Sequence, residues 1–509
     1  MTFTGPLTHG EIKEARARRA QAISFAGGID AALAAGTIPA EIDTTLSEII
    51  VLGLLRQQVN TFLCVLGHGS TEIGEVLRVY QDYGALRSVG VRNEIEASHA
   101  ATALRWVSGE KAAVLTSIGP GALQALAASI VPASDGLGVW YVFGDETTED
   151  EGPNMQQIPK YLQHSYLQIC STVGRAYTLH TPLAVSTALR RGLNTVDHPH
   201  RAGPFFLLVP LNTQPSRMDG FNLNELPTGK PPRMGAAADD GNYQEAASAI
   251  SNASKVMVKI GGGSREAGLE LEEFLEVAGA VAVTSPLVSG VIPFDHPRNM
   301  TVGGSKGSIS GNYAMENADL LVAVGSRFVC QSDCSRTGYP NVRTVINVNT
   351  DLEAAVHYQQ TIPLLGDAAP TLQRLIKSIK DYQRNLAPTK GSNLDTKSDW
   401  ISSCSTKRQE WDEFRSSRYR KPTLHDDVWG DEILTQPAAI KAATDWARLN
   451  NVVCFFDAGD PQANGFQVVE DDRLGHTVTE TGASYMGFAV SALLATALSK
   501  RMPYGLAIS

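Results

Sequence analysis

Three short segments in the first quarter of the chain combine polar side chains with glycine turns. The first is Gly67-His68-Gly69-Ser70, where the flanking glycines suit a loop that brings an imidazole close to a ligand. The second is Arg92-Asn93-Glu94, where a helix is predicted to begin after a short strand. The third is Ser117-Ile118-Gly119-Pro120-Gly121-Ala122, a strand, glycine turn and helix start that resemble an anion-binding nest. Each segment is therefore a candidate for ligand contact.

Each segment also has an ordinary structural interpretation. Glu94 complements the helix dipole in the first turn of its helix, as many glutamates do. The Gly119-Pro120-Gly121 turn is a tight strand-to-helix connection, and a P-loop is excluded because no Lys-Ser/Thr pair follows the second glycine. A solitary surface histidine explains His68 almost as well as a ligand contact does. Taken one at a time, the segments leave these alternatives open.

The elements that must position these residues alternate between strand and helix patterns. Short apolar strands are predicted at 86–91, 112–117, 138–143, 205–210, 256–260, 281–284, 320–324, 344–348, 452–456 and 505–509. The segments between them have helical spacing and Ala-rich faces. Alternation of this kind predicts an α/β fold built from doubly wound parallel sheets with helices on both sides.

Changes in composition divide the chain into consecutive parts. Residues 1–40 are Ala-rich with mixed charges and are expected to form an exposed helical arm. The Pro/Gly-rich stretch 226–232 is a linker between a first and a second α/β unit. Residues 381–430 are polar, with little strand character, and are expected to form a second linker. A third α/β unit follows from 431 to 509.

The overall composition excludes several classes of protein. Hydrophobic residues make up 43% of the chain and charged residues 19%, which lies within the globular range and excludes a disordered protein. The net charge of -10 argues against a nucleic-acid partner. Apolar runs fall short of the about 20 residues that span a bilayer, and no secretory signal is visible. Six scattered cysteines without a CxxC pair argue against zinc. We therefore expect a cytoplasmic protein without membrane or nucleic-acid partners.

Taken together, the order and spacing of the three segments resemble thiamine-diphosphate-dependent enzymes of the acetolactate synthase and pyruvate oxidase type. The similarity is greatest to the hydrolases of inositol catabolism that open trihydroxycyclohexane-1,2-dione. Those enzymes have Gly-His-Gly, Arg-Asn-Glu and Ser-Ile-Gly-Pro-Gly-Ala motifs like the three segments. Further similar segments, from about residue 45 onward, are Gly144-Asp145, Gln156-Gln157, 323–327, 347–349, 366–368 and 480–487.

The resemblance implies three domains with different roles in binding the cofactor. Residues 41–225 would form the pyrimidine-binding domain, residues 236–380 a central domain and residues 431–509 an incomplete diphosphate-binding domain. In this family a glutamate hydrogen-bonds the aminopyrimidine ring of the cofactor, which promotes removal of the proton from thiazolium C2. Glu94 occupies the position of that glutamate.

The resemblance also assigns contacts around the cofactor. Gly119, Pro120, Gly121 and Gly482 are expected to lie against it. Met486 is expected to hold its bent conformation, with ordinary core filling as the alternative. His68 is expected to be a catalytic proton donor or polar contact.

The resemblance implies Mg²⁺ as well, which the family holds with a Gly-Asp-Gly turn and a downstream asparagine. Gly144-Asp145-Glu146, Gly366-Asp367-Ala368 and Gly459-Asp460-Pro461 do not match the context of that turn, whose expected position follows Ser509. We therefore expect the metal ligands outside this chain, in missing sequence or on a second polypeptide. In the central domain, Glu266 replaces the third glycine of a GxGxxG motif, which argues against bound FAD.

The function predicted in this way is thiamine-diphosphate-dependent C–C bond cleavage, first of all hydrolytic ring opening of a cyclic 1,2-diketone. An acetolactate-synthase-like reaction on 2-keto acids is an alternative. A non-catalytic regulatory subunit that pairs with an active homologue, and an unrelated α/β nucleotide-binding protein, are further alternatives. In this superfamily the glutamate of one subunit serves the cofactor held by another. The resemblance therefore implies a homodimer or tetramer, or a second chain that carries the Gly-Asp-Gly motif.

Overall fold

The computed structural model describes residues 9–385, 394–501 and 503–509. These residues form two compact units. The first unit comprises the described residues up to Pro232 together with 491–501, and the second comprises the described residues of Arg233–Val490 and Pro503–Ser509. Among all described residues, no helix is both long and apolar enough to cross a membrane.

The first unit is built around a parallel sheet of six strands. The strands before Pro232 are β1 (Glu41–Thr45), β2 (Val59–Val65), β3 (Arg87–Gly90), β4 (Lys111–Thr116), β5 (Val139–Asp145), β6 (Arg175–Thr178), β7 (Pro204–Pro210) and β8 (Arg217–Asn222). The α-helices are α1 (His9–Ala26), α2 (Ile29–Ala34), α3 (Leu46–Arg56), α4 (Thr71–Asp82), α5 (Glu94–Ser108), α6 (Pro120–Ala128), α7 (Ile130–Asp135), α8 (Ser165–Ser171) and α9 (Val185–Val196). The sheet order is β3-β2-β4-β5-β7-β6, and β1 pairs with β8 in a separate antiparallel ribbon.

This strand order places a topological switch point between β2 and β4. The chain leaves β2 through α4 to reach β3 on one side, then crosses through α5 to β4 on the other side of β2. All residues of β5 and β7 are buried, as expected for strands that are covered by helices on both faces. In open parallel sheets the crevice for ligands lies outside the carboxyl ends of the strands at such a switch point.

The second unit contains a second parallel sheet of six strands and a smaller sheet of three. Its strands are β9 (Val256–Ile260), β10 (Ala280–Thr284), β11 (Asn299–Val302), β12 (Leu320–Val324), β13 (Thr344–Asn349), β14 (Thr361–Leu365), β15 (Thr423–Asp426), β16 (Asp431–Leu434), β17 (Val453–Phe456), β18 (Thr477–Thr479) and β19 (Gly505–Ile508). The orders are β11-β10-β9-β12-β13-β14 and β18-β17-β19, and β15 with β16 forms an antiparallel hairpin.

The helices after Pro232 cover these sheets or connect them. They are α10 (Asp240–Asn252), α11 (Gly268–Ala278), α12 (Ile309–Asn317), α13 (Cys330–Asp333), α14 (Leu352–Ala355), α15 (Ala368–Asn385), α16 (Leu394–Arg420), α17 (Gln436–Leu449), α18 (Asp460–Val468), α19 (Phe488–Ala492) and α20 (Leu494–Leu498), the last of which belongs to the first unit. The prediction of an α/β fold with doubly wound parallel sheets is confirmed. The boundaries of the three predicted domains, and the incompleteness of the third, stay predictions.

The expectation of an exposed arm at residues 1–40 is wrong for α1. Arg16 and Arg19 on this helix are buried, and their guanidinium groups contact the Glu48 carboxylate at 3.1 and 2.7 Å. Tyr80 donates a hydrogen bond to the same carboxylate at 2.8 Å. Charged side chains can be buried when they are paired in this way. Composition alone describes these arginines as surface residues because it does not show the pairing.

The segment 381–430, expected to be a polar linker, contains α16 between residues 394 and 420. This helix packs on the second unit through a narrow row of buried side chains. Trp400 Nε1 donates to the Val256 carbonyl at 3.1 Å, and Lys397 Nζ donates to two carbonyl groups at 2.8 and 2.9 Å. The row continues at Cys404 and Trp411, and its steps of three, four and seven residues are the spacing of one helix face. The many polar residues between these positions conceal the row in the sequence.

Candidate active site

The candidate site of the first unit lies at the carboxyl edge of its sheet, at the switch point between β2 and β4. Two backbone hydrogen bonds hold the loops after these strands together. Ser117 N–H donates to the Val65 carbonyl at 3.2 Å, and Ile118 N–H donates to the His68 carbonyl at 3.1 Å. The histidine segment and the glycine turn, separated by about fifty residues, are therefore neighbours at one edge. The sequence pattern did not by itself show this proximity.

Glu94 is the first residue of α5 and lies close to the same edge. The side chain of Asn93 caps the helix by accepting the Glu96 N–H at 2.9 Å, which fixes where the helix begins. Glu94 is only 7% exposed. Within the part of the chain that the structure describes, no hydrogen bond or ion pair involves its carboxylate. The carboxylate of this largely buried residue therefore keeps its capacity to accept a hydrogen bond from a ligand.

The turn at Gly119-Pro120-Gly121 is shaped around this carboxylate. A Cβ atom at position 121 would lie 2.6 Å from Glu94 Oε1 and 2.7 Å from Ser117 Oγ, so a side chain at this position would displace the carboxylate. Gly119 has a φ of 62°, and a Cβ there would lie 2.6 Å from the Gln157 carbonyl oxygen. Both glycines are required by close approach rather than by a simple change of chain direction. The contact at Gly121 brings the turn directly against the Glu94 carboxylate.

His68 extends from the loop after β2 and is half exposed. Its Nε2 lies 3.5 Å from Oε2 of Glu146, a buried residue directly after β5. Glu146 in turn accepts the Gln157 N–H at 3.4 Å. Glu94, His68 and the glycine turn thus belong to adjacent strand ends of one sheet, whereas Gly482 and Met486 belong to the second unit.

In the second unit, the residues predicted to contact the cofactor follow β18. Met486 is 81% exposed, which excludes the alternative that it fills the core. Glu480, directly after β18, is fully buried, and burial raises the pKa of its carboxyl group although backbone N–H groups that it accepts lower it. Asp457, directly after β17, is also buried and accepts the Gly487 N–H at 2.8 Å. Two carboxylates therefore hold the turn that presents Met486.

Sequence reasoning gave no role to Glu146, Asp457 or Glu480. All three are acidic residues that directly follow a buried parallel strand, at the edge where ligands bind in such sheets. Their position directly after a buried strand was the sequence feature that could have identified them. Which neighbours each carboxylate would contact depends on loops that are distant in the sequence.

The glycine-rich segment after β9 has a structural role that requires no nucleotide. Gly263 N–H donates to the Gly325 carbonyl at 3.0 Å, and a Cβ at Gly261 would overlap the backbone of Gly325 and Ser326. The glycines let the loops after β9 and β12 approach each other closely. No group of three or more His, Cys, Asp or Glu residues suited to a metal ion is found among the described residues. The prediction that the Mg²⁺ ligands lie outside this chain stays a prediction.

A buried carboxylate beside a glycine turn, at the switch point of a parallel sheet, defines a small-molecule site in a doubly wound α/β protein. Two family models match the chain. The model of the thiamine pyrophosphate enzyme N-terminal TPP binding domain matches residues 44–166, and the model of the thiamine pyrophosphate enzyme central domain matches residues 243–375. The chain belongs to the thiamine pyrophosphate enzyme family. The first match contains Glu94, His68 and the glycine turn.

Curated relatives with two kinds of name resemble the chain. The acetolactate synthase large subunit of Corynebacterium glutamicum is 26% identical over 83% of this chain and 64% of that protein. The 3D-(3,5/4)-trihydroxycyclohexane-1,2-dione hydrolase of Listeria monocytogenes is 25% identical over 64% of this chain and 52% of that protein. The acetolactate synthase isozyme 3 large subunit of Escherichia coli is 24% identical over 88% of this chain and 74% of that protein. The matches to the first two relatives thus cover between half and two thirds of their length.

Proposed function

We propose that this chain binds thiamine diphosphate and takes part in cofactor-dependent C–C bond cleavage, with Glu94 as the residue that activates the cofactor. The carboxylate of Glu94 carries the proposal. It is buried at the sheet edge, it lies directly against the Gly119-Pro120-Gly121 turn, and no described residue hydrogen-bonds to it. A carboxylate in such surroundings forms a strong hydrogen bond with a ring nitrogen that enters the site.

The residues at this edge have distinct roles in the proposal. When bound, thiamine diphosphate supplies a carbon nucleophile and an electron sink that allow an adjacent C–C bond to break. Glu94 would accept a hydrogen bond from the protonated ring nitrogen of the aminopyrimidine in its imino form and would thereby favour removal of the C2 proton. Gly121 allows the turn to lie directly against this carboxylate. His68, half exposed at the same edge, donates a proton to the substrate's carbonyl oxygen.

The first candidate substrate is a cyclic 1,2-diketone that is opened by water. The Gly-His-Gly, Arg-Asn-Glu and Ser-Ile-Gly-Pro-Gly-Ala motifs support this choice. The second candidate is an acetolactate-synthase-like reaction on 2-keto acids. It is supported by the two synthase matches, which are 26% and 24% identical over 83% and 88% of this chain. Mg²⁺ as the ion that accompanies the diphosphate, and a homodimer or tetramer or a second chain, complete the proposal.

Calorimetric titration of the full chain with thiamine diphosphate and Mg²⁺, followed by assays with both substrate classes, tests the proposal. We expect saturable binding, then consumption of a cyclic 1,2-diketone in preference to pyruvate. Preference for pyruvate would favour the synthase alternative, and binding without turnover of either would favour a non-catalytic subunit. Absence of binding, both alone and together with a homologous partner chain, would overturn the proposal.

A further inference from the structure

The turn formed by residues 481–488 is held from one side by Glu480. Ala483 N–H and Ser484 N–H donate to Glu480 Oε2 at 3.1 and 2.9 Å, and Tyr485 N–H donates to Oε1. Ser484 has a φ of 51°, a left-handed conformation that is unfavourable for a residue with a side chain. The converging hydrogen bonds to Glu480 compensate for that conformation and hold the first half of the turn.

Asp457 holds the second half of the same turn. Its carboxylate accepts the Gly487 N–H at 2.8 Å and the Phe488 N–H at 3.2 Å. The hydroxyl of Ser509 donates to its other oxygen at 2.6 Å. Two buried carboxylates from neighbouring strand ends therefore bind five backbone N–H groups of one short turn.

A third buried side chain fixes Glu480 itself. The amide of Gln462, on α18, donates to Thr479 Oγ1 at 2.9 Å and to the Glu480 carbonyl. Gln462 is 1% exposed. The helix after β17 and the end of β18 are thus joined directly beneath the turn, which makes the position of Glu480 independent of solvent-exposed contacts.

Met486 lies between the two anchored halves, and its side chain is 81% exposed. A long apolar side chain that is free to move lowers its exposure by folding back on the protein. Here the backbone on both sides is bound to buried carboxylates, which fixes the point from which the exposed side chain extends. An exposed methionine on a fixed turn is suited to pack against a ligand.

We propose that Glu480 is a positioning residue, which together with Asp457 fixes the 481–488 turn so that Met486 contacts the ring system of thiamine diphosphate. This inference rests on the function proposed above. Glu480 does not touch the cofactor in this account and acts only through the backbone of the turn. A carboxylate is required because three N–H donors converge on it, whereas an amide would direct its own N–H groups at them.

The test combines a measurement without cofactor and a measurement with it, both on the full chain. First, hydrogen–deuterium exchange of residues 481–488 is compared in the wild type, Glu480→Gln and Glu470→Gln. Glu470 is the matched control, because its carboxylate lies in the same unit and is bound by Arg415 at 3.1 Å rather than by the turn. We expect exchange in the turn to become at least tenfold faster only in Glu480→Gln. Unchanged exchange would overturn the inference, whatever the cofactor does.

Second, thiamine diphosphate affinity is measured in Glu480→Gln, Met486→Ala and the double variant. If Glu480 acts through Met486, each single change weakens binding by about tenfold and the double variant is no weaker than either, because contacting or coupled residues are not additive. A general structural defect would instead multiply the two losses, and that result would contradict the inference.

Glu480→Asp keeps the charge and replaces Glu480→Gln in both measurements if Glu480→Gln does not fold. We expect an intermediate exchange rate, with affinity lowered less than in Glu480→Gln. If the wild type shows the expected exchange pattern but binds no thiamine diphosphate, the anchoring of the turn stands, while the proposed function and the cofactor contact of Met486 are both overturned.

Discussion

Glu94 and Glu480 are two buried carboxylates beside strand ends, and they differ in what surrounds them. Glu94 in the first unit is 7% exposed and accepts no hydrogen bond from any described residue. Glu480 in the second unit is fully buried and accepts three backbone N–H groups. Burial alone therefore does not identify a reactive carboxylate. The bound carboxylate organises a turn, and the unbound one is the group to which the proposed function gives a chemical role.

Lys259 shows that burial together with the lack of a hydrogen-bond partner does not identify a reactive group either. It is 1% exposed on β9, and among the described residues its ammonium nitrogen has no hydrogen-bond partner. Strand alternation places its side chain on the same face of the sheet as Met257, which belongs to an apolar cluster. Glu94 differs because it lies at the carboxyl edge of its sheet, directly against the Gly119-Pro120-Gly121 turn. A ligand-binding carboxylate is therefore identified by its burial, its lack of partners and its place in the fold together.

The largest effect is expected for Glu94→Gln. The amide keeps the shape of the side chain but cannot act as the carboxylate does, so turnover should fall by about 10²–10⁴-fold. Thiamine diphosphate affinity should change little, as measured by calorimetry. The control is Glu96→Gln in the same helical turn, whose carboxylate is bound by Arg92 at 2.9 Å. Equal losses of turnover in the two variants would show that a carboxylate without a partner is no more important for catalysis than one bound by an arginine.

Gly121→Ala tests the close contact between position 121 and the Glu94 carboxylate. The added methyl group would lie 2.6 Å from Glu94 Oε1, so the carboxylate must move. We expect a loss of about 1–3 kcal/mol in the free energy of unfolding, as for other overpacked sites, and weaker cofactor binding. Gly90→Ala is the control, because a Cβ at that position meets no atom within 4 Å. Chemical denaturation of both variants measures the difference, and similar stabilities would contradict the predicted crowding.

Lys259→Met tests the buried ammonium group, which has no hydrogen-bond partner among the described residues. Removing an unpartnered polar group from the core should raise the free energy of unfolding at neutral pH by about 1–3 kcal/mol. Burial lowers the pKa of Lys259 from 10.5 to about 8, so between these pH values the unfolded chain binds more protons than the folded one. The stability of the wild type should therefore rise relative to the variant from pH 8 to pH 10.5.

Denaturant unfolding of the wild type and Lys259→Met across that pH range provides the measurement. A constant difference between the two proteins would mean that Lys259 titrates normally. A lower stability of the variant at neutral pH would show that the ammonium group has a partner after all.

The smallest effect is expected for Met486→Ala on stability without cofactor. Because the side chain is 81% exposed, its removal should change the free energy of unfolding by less than about 0.5 kcal/mol. The thermal unfolding midpoint measures this directly. A larger loss would place Met486 in the packing of the protein rather than in ligand contact.

The strands were the part of the fold that the sequence predicted best. Apolar runs such as Val256–Ile260 and Leu320–Val324 form strands within the predicted bounds, because buried parallel strands are continuously apolar. The ribbon of β1 and β8 was missed, since its partners are about 175 residues apart and most residues of both strands are polar. The buried side of α16 was missed because polar residues separate the buried residues along the sequence.

The candidate site was predictable as residue types but not as contacts. Glycine turns and Glu94 stand out in the sequence because their types are restricted by backbone geometry and charge. The contact between the Gly121 position and the Glu94 carboxylate joins two strand ends and requires the sheet order. The network of Glu480, Asp457 and Gln462 was not predicted, because its hydrogen bonds run to backbone groups that any residue supplies.

Exchange of the C2 proton of thiamine diphosphate for deuterium tests the central claim most directly. The full chain is mixed with cofactor and Mg²⁺, together with any partner chain needed for binding, and exchange is followed by NMR after rapid quenching. We expect faster exchange than for free cofactor with the wild type and with Glu96→Gln, and no acceleration with Glu94→Gln. Equal acceleration with Glu94→Gln would contradict the claim that the unbound carboxylate of Glu94 activates the cofactor.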